Sequence, residues 1–301
     1  MTDMNNIDDI RDDEVRIIVG PGSNAGNRKD KKRLRIWIIL SIIVLILIIF
    51  LLWLFLKNNT DTNQYQQETL FEPVAESVID KGPVTPLGNY IQNDGNSFTE
   101  QIKTTINDIP LLIYIPHNAV PELVLGIPDK NDNTIVLATQ AADIRADNQK
   151  IVGAFVLKGE PLSRGLSKNG YCGIIDGKLT VGVSENSPLF EEATEKNGYF
   201  FRQYPLVDNG RLVENEIKSK SIRKALCDRS GEIMVIMTES AESMHDFAQA
   251  LVDLQVDNAI YLIGSDSYCF YQDNSGNSNL IYETIVYDSL KYLNFIVWRK
   301  Q

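Results

Sequence analysis

Acidic side chains near strand ends and turns are the residues of this sequence best suited to chemistry. Asp143, Glu239 and Asp266 occupy such positions, and clefts are usually lined by residues from loops and strand ends. Carboxylates placed in this way can act as general acids and bases. Each of the three also fits a solvated loop acid, so the sequence leaves a catalytic role and a surface role open.

Basic and hydroxyl side chains supply the candidate binding groups. Arg223 is the main one, because a guanidinium presents a planar fork that can hold a phosphate through two hydrogen bonds. Its alternative role is that of an arginine on the surface of a strand. The other candidate substrate-binding residues are Arg145, Arg202, Ser265 and Ser267.

The histidines and cysteines form no motif for a metal or a nucleophile. His117 and His245 have no partner at the spacing of a zinc site or a catalytic triad. Cys172, Cys227 and Cys269 are widely separated, without a Cys-x-x-Cys pair. We expect buried apolar cysteines, with one disulfide as the alternative. We therefore expect no metal and no cofactor.

Residues 221–270 are the stretch that must position these groups. Residues 221–227 and 232–237 read as two strands joined by a hairpin at 228–231. From Ser240 onward the apolar positions follow helical spacing, which predicts an amphipathic helix capped by that serine. Residues 259–263 are apolar enough for a strand that is buried on both faces.

The same stretch carries a resemblance to a known family. Arg223-Lys224-Ala225-Leu226 before a hairpin, the helix from Phe247 to Leu251, and Asn258-Ala259-Ile260-Tyr261-Leu262 ahead of Gly264 resemble the phosphodiester glycosidase family. The resemblance extends from residue 135 to the C-terminus. It implies hydrolysis of sugar-phosphate diesters in envelope glycans or exopolysaccharide, with Arg223 on the phosphate and carboxylates at the anomeric carbon.

Two positions depart from the family pattern. Ile263 stands where the family carries an aspartate, and Ala141 where it carries an asparagine, although Asp143 and Arg145 follow closely. The resemblance therefore leaves two functions open. One is an active phosphodiester glycosidase, and the other is a catalytically degenerate relative that serves as a glycan-binding or envelope scaffolding module.

Hairpin signals dominate the predicted domain. Asp176-Gly177 and Asp208-Asn209-Gly210 lie between apolar runs, and these residue types adopt the positive φ angles that tight hairpins need. Residues 187–195 fit a short helix, and 281–286 and 294–298 fit closing strands. The prediction is an α+β domain with a mixed or antiparallel sheet and a few packed helices, preceded by one transmembrane helix.

Residues 36–56 are the predicted transmembrane helix. The segment has one hydroxyl, Ser41, and no charge, and its length suits a hydrocarbon layer of about 30 Å. Arg28, Lys29, Lys31, Lys32, Arg33 and Arg35 precede it, whereas Lys57 is the sole cation on its other side before Lys81. Cationic flanks stay in the cytoplasm, which predicts a single-pass protein of the inner (plasma) membrane with a cytoplasmic N-terminus.

These signals divide the chain into four parts. Residues 1–35 are expected to form a disordered cytoplasmic arm, 36–56 the membrane helix, 57–96 a polar linker, and 97–301 the periplasmic or extracellular domain. The net charge of −11 argues against nucleic acid as a partner, because phosphate backbones are bound through lysine and arginine. The expected partners are the membrane and a glycan or sugar-phosphate ligand.

Overall fold

A computed structural model describes residues 84–88, 95–264, 267–282 and 291–301. All of them belong to one compact unit, Asp80–Gln301. The predicted arm, the predicted membrane helix at 36–56, most of the predicted linker, Ser265 and Asp266 lie outside the described residues. Among the residues that are described, no helix is long and apolar enough to span a bilayer.

Seventeen strands and two helices make up the described part. The strands are β1 Phe98–Ile106, β2 Ile109–His117, β3 Ala119–Leu125, β4 Ile135–Gln140, β5 Ala154–Leu157, β6 Glu160–Arg164, β7 Gly170–Ile175, β8 Lys178–Val183, β9 Tyr199–Gln203, β10 Pro205–Asp208, β11 Arg211–Leu212, β12 Lys224–Arg229, β13 Glu232–Thr238, β14 Asn258–Leu262, β15 Cys269–Gln272, β16 Ser278–Tyr282 and β17 Asn294–Lys300. The helices are α1 Leu189–Glu195 and α2 Met244–Asp253.

The strands form three antiparallel sheets. The first has the order β1-β2-β13-β12-β14-β10-β11, the second β16-β15-β4-β17-β3, and the third β6-β5-β9-β7-β8. This sheet-dominated architecture confirms the predicted antiparallel sheets, and the named strands of the described chain contain no parallel pair. β14 lies inside the first sheet between β12 and β10, as its apolar sequence predicts.

The predicted hairpins form where glycine and small polar residues allow positive φ angles. Asp176 and Gly177 have φ values of 52° and 75°, and Asn209 and Gly210 have 49° and 74°. These angles turn the chain between β7 and β8 and between β10 and β11. The three hairpins, including that between β12 and β13, are therefore fixed by local sequence.

Two boundaries in the central stretch differ from the prediction. Helix α2 is capped by Ser243, whose side chain accepts a hydrogen bond from the Asp246 N–H; the predicted cap, Ser240, is wrong. The Ser240 hydroxyl instead donates to the carboxylate of Glu242, 2.7 Å away. Strand β12 begins at Lys224 rather than at residue 221, because Ser221 makes only an isolated bridge to Glu242.

Two apolar cores hold the first sheet in place. One lies where the three sheets meet and includes Leu137, Phe201 and Ile260. The other lies between the first sheet and α2, where Phe247 and Leu251 are fully buried. Burying a Phe or Leu side chain stabilises the fold by roughly 1.5–3 kcal/mol. The sheets therefore form a stiff frame around the polar residues at their junction.

Candidate functional site

The chain that leaves β4 is the backbone of the candidate site. Residues 139–143 carry Thr139 at the end of the strand and Asp143 just beyond it. Asn294 of β17 fixes this segment twice, because its amide accepts a hydrogen bond from the Ala142 N–H at 2.8 Å and donates one to the Ala142 carbonyl at 3.1 Å. Thr139 and Asp143 are therefore held in defined positions.

Lys224 reaches this segment from β12. Its Nζ atom donates to the Thr139 Oγ1 atom at 3.1 Å and to the Ser267 Oγ atom at 3.0 Å. Lys224 is 1 % exposed, and both hydroxyl-bearing residues are buried. Ser267 also donates a hydrogen bond to the Ile263 carbonyl at 2.6 Å. We call Lys224, Thr139 and Ser267 the amine cluster.

The environment of Lys224 favours the uncharged amine. Burial lowers its pKa below the ordinary value, and the neighbouring Cys269 acts in the opposite direction. The amine is hydrogen-bonded to the hydroxyl groups of Thr139 and Ser267 and to Cys269. Hydroxyl groups stabilise an ammonium less than a carboxylate would. A neutral lysine amine can accept a proton, as general bases and nucleophilic lysines do.

A second buried lysine lies on the other side of the same segment. The Lys168 Nζ atom forms an ion pair with Asp143 and a hydrogen bond of 2.9 Å with the Gln203 Oε1 atom. It also lies 4.4 Å from the centre of the Tyr204 ring. Burial lowers the Lys168 pKa, while the charge of Asp143 raises it. We call Lys168, Asp143, Gln203 and Tyr204 the ion-pair cluster.

The ion-pair cluster reaches the surface through its carboxylate. The Asp143 side chain is 31 % exposed, against 4 % for Lys168. Gln203 joins the cluster to the β4 segment, because its Nε2 atom donates to the Ala141 carbonyl at 3.3 Å. A ligand could therefore approach Asp143 from solvent, while Lys168 neutralises that carboxylate from inside.

Arg202 positions the loop that carries Lys168. Its guanidinium donates to the carbonyls of Lys168, Ser184 and Glu185 at 2.9, 3.0 and 2.6 Å. The residue is 3 % exposed, yet it also lines a cleft of about 430 Å³. Other walls of that cleft come from Arg164, Asn186 and Phe190. The cleft offers cationic, amide and aromatic groups, and Arg202 connects its wall to the backbone carbonyl of Lys168.

Arg223, the predicted phosphate contact, is engaged with the backbone. Its Nε atom donates to the Glu242 carbonyl at 2.8 Å, and an Nη atom donates to the Ser219 carbonyl. The residue is 3 % exposed. In this conformation the guanidinium ties residues 219–223 to the segment before α2, and its predicted contact with phosphate stays a prediction.

The other predicted residues lie with separate partners. Glu239 pairs with Lys103 at 3.0 Å, where both side chains are substantially exposed. Arg145 pairs with Asp147 at 3.0 Å on the surface. The structure thus brings Asp143 and Arg202 to one loop and Ser267 to Lys224, while Glu239, Arg145 and Arg223 each have other contacts.

The cysteines and histidines take structural positions. The three cysteines are buried, free thiols, as expected for small apolar core residues. His117 lies 3.1 Å from Glu100, and His245 lies 3.0 Å from Glu214. Within the described ranges, no group of three His, Cys, Asp or Glu side chains could hold a metal ion.

Comparisons with known proteins give only distant structural likenesses. No protein-family model matches the sequence, and a search of curated proteins gives no match. The chain is similar to the catalytic domain of zebrafish N-acetylglucosamine-1-phosphodiester alpha-N-acetylglucosaminidase, described as auto-inhibited by its pro-peptide. The identity is 13 %, the alignment covers 68 % of this chain and 83 % of that one, and the TM-score is 0.47.

A second likeness is to a hypothetical protein from Synechocystis. It is 14 % identical, with 67 % of this chain and 62 % of that one covered and a TM-score of 0.44. At this distance the likenesses are limited to a related fold and carry no argument about activity.

The two buried lysines are the charged residues of the two clusters that the sequence did not single out, together with the uncharged Thr139, Gln203 and Tyr204. Lys224 could have been noticed, because it is the one charge within the run from Lys224 to Cys227 at the centre of an apolar sheet. Lys168 gives no such signal, since it lies in a polar loop with a φ of 70°. Its role appears only when the loop folds back onto Gln203.

Proposed function

We propose that this chain is a membrane-anchored, exported hydrolase of sugar-phosphate diesters, similar to phosphodiester glycosidases. The observation that carries the proposal is the amine cluster, in which a buried lysine contacts two hydroxyl groups at the junction of the sheets. Burial lowers the pKa of this amine, and buried groups with perturbed pKa values are candidates for proton transfer. The sequence resemblance over residues 135–301 supplies the substrate class.

The clusters supply complementary functions for such a substrate. The amine cluster holds and moves a proton, whereas the ion-pair cluster places a lysine behind a partly exposed carboxylate. The cleft beside Arg202 has the cationic and aromatic side chains that bind anionic sugars.

The membrane anchor in this proposal depends on residues 36–56 and their basic N-terminal flank. The test is protease treatment of intact cells, followed by detection of tags at both ends of the chain. We expect loss of the C-terminal tag and protection of the N-terminal one. A chain that remains in the soluble fraction after carbonate extraction would contradict the anchor.

Activity is tested with the full-length chain in detergent and a sugar-phosphate diester. We expect measurable sugar release that falls at least tenfold in Thr139→Val, since the hydroxyl that orients the amine is then lost. The matched control is Thr105→Val, a threonine on β1 outside both clusters. If the unmodified chain releases no sugar while it binds the diester, the hydrolase proposal is wrong.

A second function, glycan binding without turnover, is favoured by two observations. Asp143 is neutralised by Lys168, and Ile263 offers a hydrocarbon where the resemblance places a carboxylate. Two carboxylates are needed for the usual glycosidase chemistry at the anomeric carbon. Binding is measured by calorimetry with a phosphonate analogue that cannot be hydrolysed, and binding with no release from the natural diester would favour this second function.

A further inference from the structure

The contact between Ser267 and Lys224 is more specific than a general polar cluster. The serine oxygen lies 3.0 Å from the amine nitrogen, which is the distance at which a base takes a proton. We propose that Ser267 is a nucleophile, activated by Lys224, that attacks the phosphorus atom of a phosphodiester. This inference rests on the proposed function and names its reaction route.

The amine is oriented from two sides. Thr139 belongs to β4 and lies opposite Cys269 of β15 in the second sheet, while Lys224 belongs to β12 of the first sheet. The hydrogen bond from Lys224 to Thr139 therefore spans two sheets. This bond holds the nitrogen beside Ser267 and leaves it few alternative rotamers, as positioned catalytic groups require.

The base must be uncharged to accept the proton of the serine. Lys224 is buried in the junction, and this burial lowers its pKa, while the neighbouring Cys269 acts in the opposite direction. Among the described residues, the amine is hydrogen-bonded to Thr139, Ser267 and Cys269. The resting hydroxyl of Ser267 donates to the Ile263 carbonyl, and it needs only rotation about its C–O bond to donate to the amine instead.

The route is balanced in protons and bonds. Lys224 takes the Ser267 proton as the Oγ–P bond forms, and the P–O bond to the sugar breaks. The ammonium of Lys224 then gives that proton to the departing sugar oxygen. In a second step water attacks the phosphorus of the serine phosphodiester while Lys224 takes a proton from the water. The P–Oγ bond breaks, and the ammonium of Lys224 returns the proton to the Ser267 oxygen. The products are the free sugar and a phosphate monoester.

This route explains how a site without the family's aspartate could still cleave a diester. A carboxylate mechanism acts at the anomeric carbon, but position 263 is an isoleucine. Attack at phosphorus needs a nucleophile, a base and a cation near the phosphoryl group. Ser267 supplies the first, and Lys224 supplies the second and, once protonated, the third.

The direct test is labelling of the full-length chain in detergent with diisopropyl fluorophosphate, a small reagent that phosphorylates activated serines. The Oγ–P bond forms, fluoride leaves, and Lys224 passes its proton to solvent. We expect one adduct on Ser267 by peptide mass spectrometry, and none in Ser267→Ala. Labelling should slow at least tenfold in Lys224→Met. The matched control, Ser163→Ala on β6, should label as the unmodified chain does.

The labelling rate of the unmodified chain is also measured as a function of pH, so that the test does not depend on whether Lys224→Met folds. We expect the labelling rate to rise with pH and level off below 10.5, the ordinary lysine value. Absence of an adduct on Ser267 in folded protein would overturn the inference. So would equal labelling of Lys224→Met, or a rate that does not change with pH.

Substrate assays separate this inference from the proposed function. Labelled Ser267 without sugar release would show that the pair is active and that the substrate class is wrong. Sugar release without an adduct on Ser267 would keep the hydrolase and overturn the nucleophile. In ¹⁸O-labelled water, attack at phosphorus places the heavy oxygen in the phosphate, and its appearance in the sugar would also overturn the route.

Discussion

The buried amine of Lys224 makes the stability of the domain depend on pH, and Lys224→Met should remove that dependence. In the folded protein the lysine has a lowered pKa because it is buried. In the unfolded chain it titrates near its ordinary value of 10.5. Between these two values the unfolded chain binds more protons than the folded one, so that the free energy of unfolding rises with pH.

The size of the effect follows from the linkage relation. Each pH unit within that window changes the free energy of unfolding by about 1.4 kcal/mol for one proton. Lys224→Met removes the cost of taking the proton off the amine when it is buried, a cost that is present at pH values below 10.5. It also leaves the hydroxyl of Thr139 without the amine, at a cost of about 1–3 kcal/mol. We expect the variant to be at least as stable as the unmodified chain near neutral pH.

The difference in stability between the two proteins is the quantity to measure. The free energy of unfolding of Lys224→Met minus that of the unmodified chain should fall by about 1.4 kcal/mol per pH unit as the pH rises. This difference should become constant above pH 10.5. Urea unfolding in non-ionic detergent is followed by the fluorescence of Trp298, which is buried in β17. Trp37 and Trp53 are replaced by phenylalanine in every variant.

Lys103→Met is the matched control, because that lysine is 66 % exposed and pairs with Glu239 at the surface. Its difference curve should stay flat, since a screened surface pair contributes little. Other ionisable groups are common to both proteins and cancel in each difference. If the difference curve of Lys224→Met against pH were as flat as that of Lys103→Met, Lys224 would have the same pKa in the folded and unfolded chain. That result would refute the reasoning about the buried amine.

Three further changes test the frame around the site. Glu232→Ala should speed hydrogen exchange of the amides in residues 84–88, because the carboxylate accepts two of their N–H groups; unchanged exchange would contradict the contact. Gly264→Ala should destabilise the domain by about 1–3 kcal/mol in urea unfolding, because the added methyl group meets the carbonyl of Ile222. Hydrogen bonds from Thr134 and then Arg299 lower the pKa of the Asp132 carboxyl from 3.8 to about 2. Asp132→Asn should therefore reduce the stability that the domain loses when the pH falls from 3.8 to about 2. An unchanged loss of stability over that pH range would refute this prediction.

Local backbone chemistry explains the part of the fold that could be predicted. The Asp-Gly and Asn-Gly turns form because their residues adopt positive φ angles, and α2 forms because its apolar residues lie on one face. The N-cap was misplaced by three residues because Ser240 and Ser243 are both suitable caps. Only the side-chain contact with Glu242 distinguishes Ser240.

The site was less predictable, since its chemistry depends on which polar side chains become buried and which of them come into contact in the folded chain. The guanidinium of Arg223 predicts a phosphate contact from sequence, but folding directs that group to backbone carbonyls. Lys224, its neighbour in sequence, is the first residue of β12, and its amine contacts Thr139 and Ser267. A one-residue difference thus separates an arginine that holds a loop from a lysine that contacts Ser267.

By itself the sequence determined the apolar segment at 36–56, the hairpins, the amphipathic helix and the buried strand β14, since each depends on neighbours within a few residues. Only the tertiary structure decided the pairing of the reactive groups. Lys224 meets Ser267 from 43 positions away and Thr139 from 85. Contacts of that range exist only after separate sheets pack together, and the packing that joins them also removes water from the amine and so lowers its pKa.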